Sequence, residues 1–371
     1  MSRITLLLPD LEMGGAQRVI LFLAKAFIDR GHNVDLVLLN SSGPLFNDIP
    51  KGVKVVDLAA WNFFFGQAGF IVSSVFFLAA WMRKTSPEVL LSTITGANLV
   101  ALLARKISGV SARVVIREAV TLKNINSAFR LRAMNWLYPQ ADAIVALTSF
   151  MKEEFVANIG ISFDRISCIA NPVDAEFVGK QAQVFVDHPW LSDDQLQVVI
   201  SVGRLIPQKD YVTLLRAFAL LPSSIPARLI IVGEGPDRLM LERLAVKLGI
   251  ADRIQLIGFE NNPWRWLARA DLFVLSSKWE GHPNALLEAL VLGLPVVMTR
   301  YDASVDSLFK NTPSYPYCVV SVSDPQVMST AIMGMIGSNH TIVTEALQIQ
   351  KERSVDLYEA LLLPAVVGQL W

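Results

Sequence analysis

The chain has 371 residues, enough for about two domains. Lys plus Arg and Asp plus Glu are balanced at 33 each, so no global positive field points to nucleic acid as a partner. Hydrophobic residues make up 53% and charged residues 18%, and the two cysteines, Cys168 and Cys318, lie far apart. This composition suggests neither a disulfide framework nor a metal site.

The first predicted element is a strand at residues 4–8, closely followed by Asp10. The apolar run is too short and too soon followed by an acid to be a secretory signal, so we expect a reducing, cytosolic location. Gly14 and Gly15 then open a helix predicted at 16–29. Glycines there let backbone N–H groups approach a phosphate, although the Gly-x-Gly-x-x-Gly fingerprint of dinucleotide binding is absent.

Strands and helices alternate along most of the chain. Continuous apolar runs separated by helices are typical of parallel sheets covered on both faces. The predicted strands are 4–8, 34–39, 53–58, 89–92, 113–116, 143–146 and 165–169, then 196–202, 229–232, 254–257, 272–276 and 296–298. The pattern predicts an α/β protein of two Rossmann-like domains, 1–175 and 196–345, facing each other across a cleft. Residues 176–195 lack periodicity and are predicted to be a linker, and 346–371 are mainly helical.

An uncharged segment, residues 59–82, lies inside the first series. Residues 63–82 are long enough to span a bilayer, but a span would cut the strand and helix series in half. The alternatives are a buried helix and a helix that dips into the membrane surface. Nine bases and only two acids lie between residues 83 and 132, and a basic excess beside an apolar helix attracts an anionic leaflet. We favour peripheral attachment at the inner face of the plasma membrane over a solvated basic face.

Charged residues follow two strands of the second series. Arg204 and Lys209 come after the strand at 196–202 and could neutralise a diphosphate, although two bases in a loop are more often ordinary surface. Glu280 and Glu288 come after the strand at 272–276. Pro283 suits the first turn of the next helix, and ligands bind at such strand-to-helix loops in open α/β sheets. Two carboxylates around a phosphate-binding helix start suit a nucleotide-sugar; the alternative is a loop with two solvated acids.

The full string 277–289 resembles the Glu-x7-Glu signature of the retaining glycosyltransferase family 4. Loop 203–205 with Gln208 and Lys209 is similar to the element whose Arg and Lys hold the donor diphosphate. Residues 233–236 look like the Gly-x-Gly-Pro loop beside the nucleotide. The matches, which also include 14–18, 171–174 and 258–259, follow the family order over most of the chain.

The resemblance implies a GT-B fold whose C-terminal helix, 346–371, crosses back to the first, acceptor-side domain. It implies that Glu288 holds the ribose hydroxyls and that Glu280 faces the transferred sugar. Catalytic roles fall to Glu280, Arg204 and Lys209. Donor contacts are predicted at Gly15, Arg204, Lys209, Gly233, Gly235, Phe259, Glu280, Gly281, Asn284, Ala285, Leu286 and Glu288.

The chain departs from the family pattern in two places. Some members have a His near the end of the fifth strand of the first domain, where this chain has Arg117 and Glu118, which puts a catalytic base there in doubt. After Pro295 the usual Gly-rich loop is replaced by residues 301–306, so we expect different contacts to the donor sugar. No Asp-x-Asp occurs in the sequence, so we expect no metal and no other cofactor.

The sequence therefore predicts a retaining, metal-independent glycosyltransferase of lipopolysaccharide or polysaccharide biosynthesis. It would move a hexose or N-acetylhexosamine from a nucleotide-sugar, with UDP as the expected nucleotide, to a lipid-linked or polysaccharide acceptor by a front-face mechanism. The rival hypotheses are a GT-B nucleotide-sugar epimerase, which needs no acceptor, and a non-catalytic nucleotide-sugar-binding protein. Acceptor contacts are predicted at Arg117, Glu118, Lys123, Arg130 and Arg132.

Overall fold

The computed structural model describes residues 1–12, 14–58, 66–125, 127–309, 315–341 and 344–363. The chain divides into two compact units. The first domain combines Met1–Pro172 with Glu352–Trp371, and the second domain is Val173–Lys351. Each is built on one parallel sheet, as predicted.

The first domain contains a seven-stranded parallel sheet of order β3-β2-β1-β4-β5-β6-β7 in the described residues. All seven strands predicted for this half are confirmed, with ends that differ by at most one residue. The strands are β1 (Arg3–Leu8), β2 (Asn33–Leu38), β3 (Lys54–Asp57), β4 (Val89–Thr93), β5 (Arg113–Arg117), β6 (Ala143–Ala146) and β7 (Ile166–Cys168).

Helices cover both faces of this sheet, because successive strand residues point to opposite sides. Leu7, Leu90 and Val114 pack on the face covered by the second to fifth helices. Leu6 and Leu91 pack on the opposite face, against the first helix. The helices are α1 (Gly15–Asp29), α2 (Gly66–Thr85), α3 (Thr95–Ser108), α4 (Ala128–Leu137) and α5 (Ser149–Ile159).

Helix α2 carries the described part of the uncharged segment 59–82; residues 59–65 lie outside the described ranges. Its inner face, with Val75, Leu78 and Met82, is buried in the core, whereas Val72 and Phe76 on the other side are exposed. The helix is therefore apolar all round but buried on one side only. Within the described residues, no helix combines the length and the apolar character that a membrane crossing requires.

The second domain contains a six-stranded parallel sheet of order β10-β9-β8-β11-β12-β13 in the described residues. Its strands are β8 (Gln197–Val202), β9 (Ala227–Val232), β10 (Ile254–Gly258), β11 (Leu272–Leu275), β12 (Val296–Thr299) and β13 (Tyr317–Val320). The first five were predicted. Strand β13, at the edge of the sheet, was not predicted.

Seven described helices belong to the second domain: α6 (Ala175–Ala182), α7 (Tyr211–Ala219), α8 (Arg238–Lys247), α9 (Trp264–Leu267), α10 (Asn284–Val291), α11 (Val305–Leu308) and α12 (Pro325–Met335). Helix α6 lies in the segment predicted as a linker, 176–195, and the structure differs from that prediction. Val178 and Val186 are buried in the core of the second domain. The segment 176–195 is therefore part of the second domain, which begins at Val173.

The last described helix is α13 (Thr344–Leu362), and its residues from Glu352 onward belong to the first domain. Val355, Tyr358 and Leu362 join the core on the same side of the sheet as α1. Outside that core, the Ser354 hydroxyl donates to the carbonyl of Ala170 at 3.0 Å. The return of the C-terminal helix to the first domain, implied by the resemblance to GT-B enzymes, is thus confirmed.

Candidate active site

The order of the second sheet reverses between β8 and β11. The loops that follow these strands leave the carboxyl edge in opposite directions, and the crevice between such loops is where ligands bind in open α/β sheets. Loop 203–210 follows β8, and loop 276–283 follows β11. The topology therefore brings the predicted diphosphate bases and the first predicted carboxylate to one place.

Lys209 and Glu280 form an ion pair in this crevice. The Lys209 Nζ lies 2.6 Å from Oε1 of Glu280, and the two side chains are only 18% and 7% exposed. The Ser277 hydroxyl donates to the same carboxylate oxygen at 2.6 Å, and Nε2 of Gln208 lies 3.4 Å from the other oxygen. The carboxylate is therefore fixed by donors from both loops.

Further hydrogen bonds tie the two loops together. The backbone N–H of Lys278 donates to the carbonyl of Gln208 at 2.8 Å, and the Gln208 side chain donates to the carbonyl of Trp279 at 2.8 Å. The Ser276 hydroxyl donates to the carbonyl of Lys209 at 2.6 Å. Gln208 could have been found from its place beside Lys209, but nothing in the sequence marks Ser277 as a partner of Glu280.

Gly233 and Gly235 support the loop that carries Arg204. Gly233 has φ of +152°, and a Cβ there would lie 2.0 Å from the carbonyl oxygen of Gly203. A Cβ on Gly235 would lie 2.4 Å from the carbonyl oxygen of Leu205. These glycines thus allow one backbone loop to pack on another, and the exposed Arg204 stands on the loop they support.

Helix α10 starts at Asn284, with Pro283 as its N-cap. Glu288 lies half-buried on its second turn. The backbone N–H of Leu286 already donates to the carbonyl of Pro283 at 3.1 Å, and the Leu286 side chain is buried. The prediction that Leu286 offers its amide to a phosphate is therefore at odds with the structure, because the first helical turn uses that group.

The remaining predicted donor residues stand at loop or helix-start positions. Gly15 is the first residue of α1 and is exposed. Phe259, directly after β10, is exposed as well, and Gly281 is half-buried beside Glu280.

Arg117, at the end of β5, is fully buried. Its guanidinium donates to the hydroxyls of Thr93 and Tyr358 at 2.8 and 3.1 Å, and to the side-chain oxygen of Asn171. These three acceptors come from three separate parts of the first domain. Because the side chain is enclosed, it cannot touch an acceptor in this conformation, contrary to the prediction.

Glu118 is also fully buried. Its carboxylate accepts hydrogen bonds from the Tyr138 hydroxyl at 2.6 Å, from the Thr95 hydroxyl at 3.0 Å and from the N–H of Ala119 at 3.0 Å. Burial raises the pKa of Glu118, although these hydrogen bonds favour the charged form. Direct contact of Glu118 with an acceptor is excluded in this conformation for the same reason as for Arg117.

The other predicted acceptor residues, Lys123, Arg130 and Arg132, are exposed. The Lys123 ammonium lies 4.9 Å from the ring centroid of Phe150. Both cysteines are free. In the ranges that the structure describes, no three His, Cys, Asp or Glu side chains are grouped to hold a metal ion.

Two Rossmann-like parallel sheets and a C-terminal helix that returns to the first domain form the GT-B fold of sugar-transferring enzymes. Residues 13–177 match the family model described as Glycosyltransferase Family 4, and residues 186–336 match the model described as Glycosyl transferases group 1. The chain therefore belongs to the family-4-like glycosyltransferases.

Among curated proteins, the chain is similar to N-acetylgalactosamine-N,N'-diacetylbacillosaminyl-diphospho-undecaprenol 4-alpha-N-acetylgalactosaminyltransferase of Campylobacter jejuni. The identity is 28% over 335 residues, 83% of this chain and 84% of that protein. Among solved structures, Anabaena HepE in complex with UDP and glucose has a TM-score of 0.77 at 19% identity over 99% of this chain and 100% of that chain. The lipopolysaccharide outer core galactosyltransferase WaaB has a TM-score of 0.70 at 21% identity, over 98% and 99%.

Proposed function

We propose that the chain transfers a hexose or N-acetylhexosamine from a UDP-sugar to a lipid-linked or polysaccharide acceptor in lipopolysaccharide or polysaccharide biosynthesis. The observation that carries this proposal is the Lys209–Glu280 pair at the switch point of the second sheet. The name of the Campylobacter relative, which specifies a diphospho-undecaprenol-linked saccharide, supports the acceptor class. The complex of HepE with UDP and glucose supports the donor class.

In this proposal Arg204 and Lys209 neutralise the donor diphosphate. A diphosphate that draws the Lys209 ammonium away leaves Glu280 held by Ser277 and Gln208. The carboxylate can then accept a hydrogen bond from a hydroxyl of the transferred sugar. Fixed cations also stabilise the negative charge that develops on the leaving phosphate, so Arg204 and Lys209 take the place of a metal ion.

The proposed mechanism retains the anomeric configuration. The bond between the anomeric carbon and the phosphate oxygen breaks, and the acceptor oxygen forms its bond to the same face of that carbon. The acceptor proton passes to the leaving phosphate oxygen, so no protein base is required. Donor contacts of Gly15, Gly233, Gly235, Phe259, Gly281, Asn284, Ala285 and Glu288 belong to the same proposal.

The test measures UDP release from a panel of UDP-sugars, with and without a bacterial membrane lipid extract. We expect release that depends on the extract, is abolished in Glu280→Ala and is preserved in Glu242→Ala, a half-buried carboxylate on α8 that pairs with Arg238. Conversion of a UDP-sugar to its epimer without acceptor would instead indicate the epimerase. Binding without turnover would indicate the non-catalytic protein.

Two further measurements test the mechanism. An inverted anomeric product, detected by NMR, would contradict the retaining mechanism. Loss of activity in EDTA would contradict metal independence.

We further infer that the first domain attaches to the inner face of the membrane through what we call the α2–α4 surface. It comprises exposed apolar residues of α2 and α4 with bases beside them. On α4, Phe129, Arg132 and Trp136 share one helical face, with Phe129 81% and Trp136 56% exposed. The members are Ile71, Val72, Phe76, Lys106, Lys123, Phe129, Arg130, Arg132 and Trp136.

The basic residues of the α2–α4 surface indicate which kind of membrane it binds. Each base near an anionic leaflet contributes about 1 kcal/mol, and apolar side chains add their burial in the interface. The Lys106 ammonium lies 4.7 Å from the centroid of the Trp136 ring, so basic and aromatic groups are interleaved. An anionic bilayer therefore fits this surface better than a neutral one.

Vesicle sedimentation tests the attachment. Phe129→Ser combined with Trp136→Ser is expected to lower binding to vesicles with about a third phosphatidylglycerol at least tenfold, since two interfacial aromatics are lost. The matched control is Leu239→Ser with Val246→Ser, two exposed apolar residues on α8 of the second domain. The assignment would be contradicted if both double variants lost vesicle binding equally, or if 0.5 M salt left the binding of wild type unchanged.

The exposed bases Lys123, Arg130 and Arg132 are proposed to meet the pyrophosphate of a lipid-linked acceptor. Their triple alanine variant is expected to raise KM for a pyrophosphate-linked acceptor and to leave KM for the donor unchanged. Full activity of this variant on the lipid acceptor would remove the assignment.

A further inference from the structure

Asp210, directly after Lys209, has a backbone conformation that residues with a side chain rarely adopt. Its φ of +47° and ψ of +46° lie in the left-handed region. Residues other than glycine are uncommon there, although Asp and Asn are tolerated better than most. Asp210 follows the 3-10 turn Pro207–Lys209 and precedes helix α7. The direction in which the chain leaves Lys209 is therefore set at this one position.

The Asp210 carboxylate is buried and fixed by two hydroxyl groups. The side chain is only 5% exposed. Thr213, on the first turn of α7, donates to Oδ2 at 2.8 Å, and Ser323, between β13 and α12, donates to the same oxygen at 2.9 Å. The Lys278 ammonium lies 3.7 Å from Oδ1, too far for a hydrogen bond. A residue 113 positions away in the sequence thus helps to hold the side chain that follows Lys209.

Lys209 itself is closely surrounded. The Ser276 hydroxyl donates to its carbonyl at 2.6 Å, and its ammonium lies 2.6 Å from Glu280. A Cβ on Gly203 would lie 3.1 Å from Cε of Lys209, so the stem of the side chain runs close over that glycine. Since Asp210 carries the next peptide unit, a change of φ there would move the backbone of Lys209 relative to α7, and the ammonium with it.

We propose that Asp210 is a positioning residue that holds Lys209 in place for the donor diphosphate. Its carboxylate, fixed by Thr213 and Ser323, keeps the backbone in the left-handed conformation, and this conformation directs the Lys209 side chain. The inference rests on the proposed role of Lys209 and deepens it. A misplacement of about 1 Å in a reacting group can cost roughly 100-fold in rate, so a residue that touches no substrate still controls turnover.

Substitutions of Asp210 separate the backbone conformation from the hydrogen bonds. Both hydroxyls donate to one oxygen, so the amide oxygen of Asp210→Asn can accept both, and Asn also tolerates the left-handed region. Asp210→Gly keeps the conformation accessible without the acceptor, and Asp210→Ala loses both. We expect kcat to fall roughly 10- to 100-fold in Asp210→Ala, less in Asp210→Gly and less than about threefold in Asp210→Asn.

A double-mutant cycle tests whether Asp210 acts through Lys209. Asp210→Ala is expected to raise the Kd for UDP roughly fivefold or more, but less than about twofold in a protein that already carries Lys209→Ala, because the cation to be positioned is missing. Uridine, which has no phosphate, should bind wild type and Asp210→Ala alike. Ser323→Ala should weaken UDP binding by a smaller factor. Its matched control is Thr330→Ala, an exposed hydroxyl on α12 that donates to the carbonyl of Gln326.

The positioning role would be overturned if Asp210→Ala weakened UDP binding equally with and without Lys209, or weakened uridine binding as much as UDP binding. Wild-type affinity and turnover in Asp210→Ala, or equal losses in Asp210→Gly and Asp210→Ala, would overturn it as well. If Asp210→Ala does not fold in urea titrations, the cycle is measured with Ser323→Ala. The expected cycle in a protein that binds UDP without turnover would keep the role of Asp210 and remove the transferase. Wild type that does not bind UDP would overturn both.

Discussion

Charged residues follow a parallel strand in each domain, but their surroundings differ. Arg117 and Glu118 are fully buried, and the partners that fix them are mainly neutral hydroxyl and amide groups from other parts of the first domain. Lys209 and Glu280 contact each other from two loops and keep part of their surface accessible. The buried side chains of Arg117 and Glu118 leave no surface for a ligand. The Lys209–Glu280 pair is partly accessible, so a ligand can reach it.

The largest expected effect tests the buried half of this comparison. Arg117→Ala leaves a cavity and removes the donor from Thr93, Asn171 and Tyr358, so the free energy of unfolding should fall by about 3–5 kcal/mol. Urea unfolding followed by circular dichroism measures the change. Arg132→Ala, an exposed control in the same domain, should stay within about 0.5 kcal/mol of wild type. A loss below about 1 kcal/mol in Arg117→Ala would mean that the network adds little to stability.

Lys209→Ala tests the accessible half. We expect kcat to fall by about 100- to 1000-fold, because a fixed cation no longer stabilises the leaving group. Lys278→Ala is the control: it stands on the neighbouring loop, is 42% exposed and lies 3.7 Å from Asp210. Steady-state UDP release compares the two, and similar losses in both would show that general surface charge, not the ion pair, matters.

A smaller effect is expected from Ser277→Ala. A hydrogen bond to a charged group contributes about 1.5–3 kcal/mol, so kcat should fall by roughly 10- to 100-fold with little change in unfolding midpoint. Ser192→Ala, whose hydroxyl donates to the carbonyl of His188, is the control and should leave kcat unchanged. Wild-type activity in Ser277→Ala would show that Lys209 and Gln208 hold Glu280 without the Ser277 hydroxyl.

The smallest effect concerns Glu118 and pH. Burial raises the pKa of Glu118 above its ordinary 4.5, so the folded protein holds this proton more tightly than the unfolded chain. The stability of wild type therefore decreases relative to Glu118→Gln as pH rises from about 4.5 to the folded pKa, and the difference is constant above it. Urea unfolding of both proteins from pH 4 to 8 measures this difference. If the difference in unfolding free energy between the two proteins does not change with pH, Glu118 has the same pKa in the folded and the unfolded state.

The fold was predictable to the extent that its patterns are local. Strands such as β1 and β9 are continuous apolar runs because both faces of a parallel sheet are covered. Lys209 and Glu280 could be predicted to share a site because they stand in recognisable strings, and the structure brings the two side chains together. The burial of Arg117 could not be predicted, because its partners Asn171 and Tyr358 lie 54 and 241 residues away in the sequence. Contacts over such separations leave no periodic signal in the sequence.

The position of α13 has a consequence for the order in which the domains mature. The core of the first domain needs Val355, Tyr358 and Leu362, which the ribosome adds only after the whole of Val173–Lys351. At about 5–20 residues per second, this delay is roughly 10–40 s. During that interval the nascent first domain lacks part of its core and Arg117 lacks the Tyr358 hydroxyl, and the second domain receives its last residue before the first domain does. The first domain can thus complete its core only after the second domain has been synthesised.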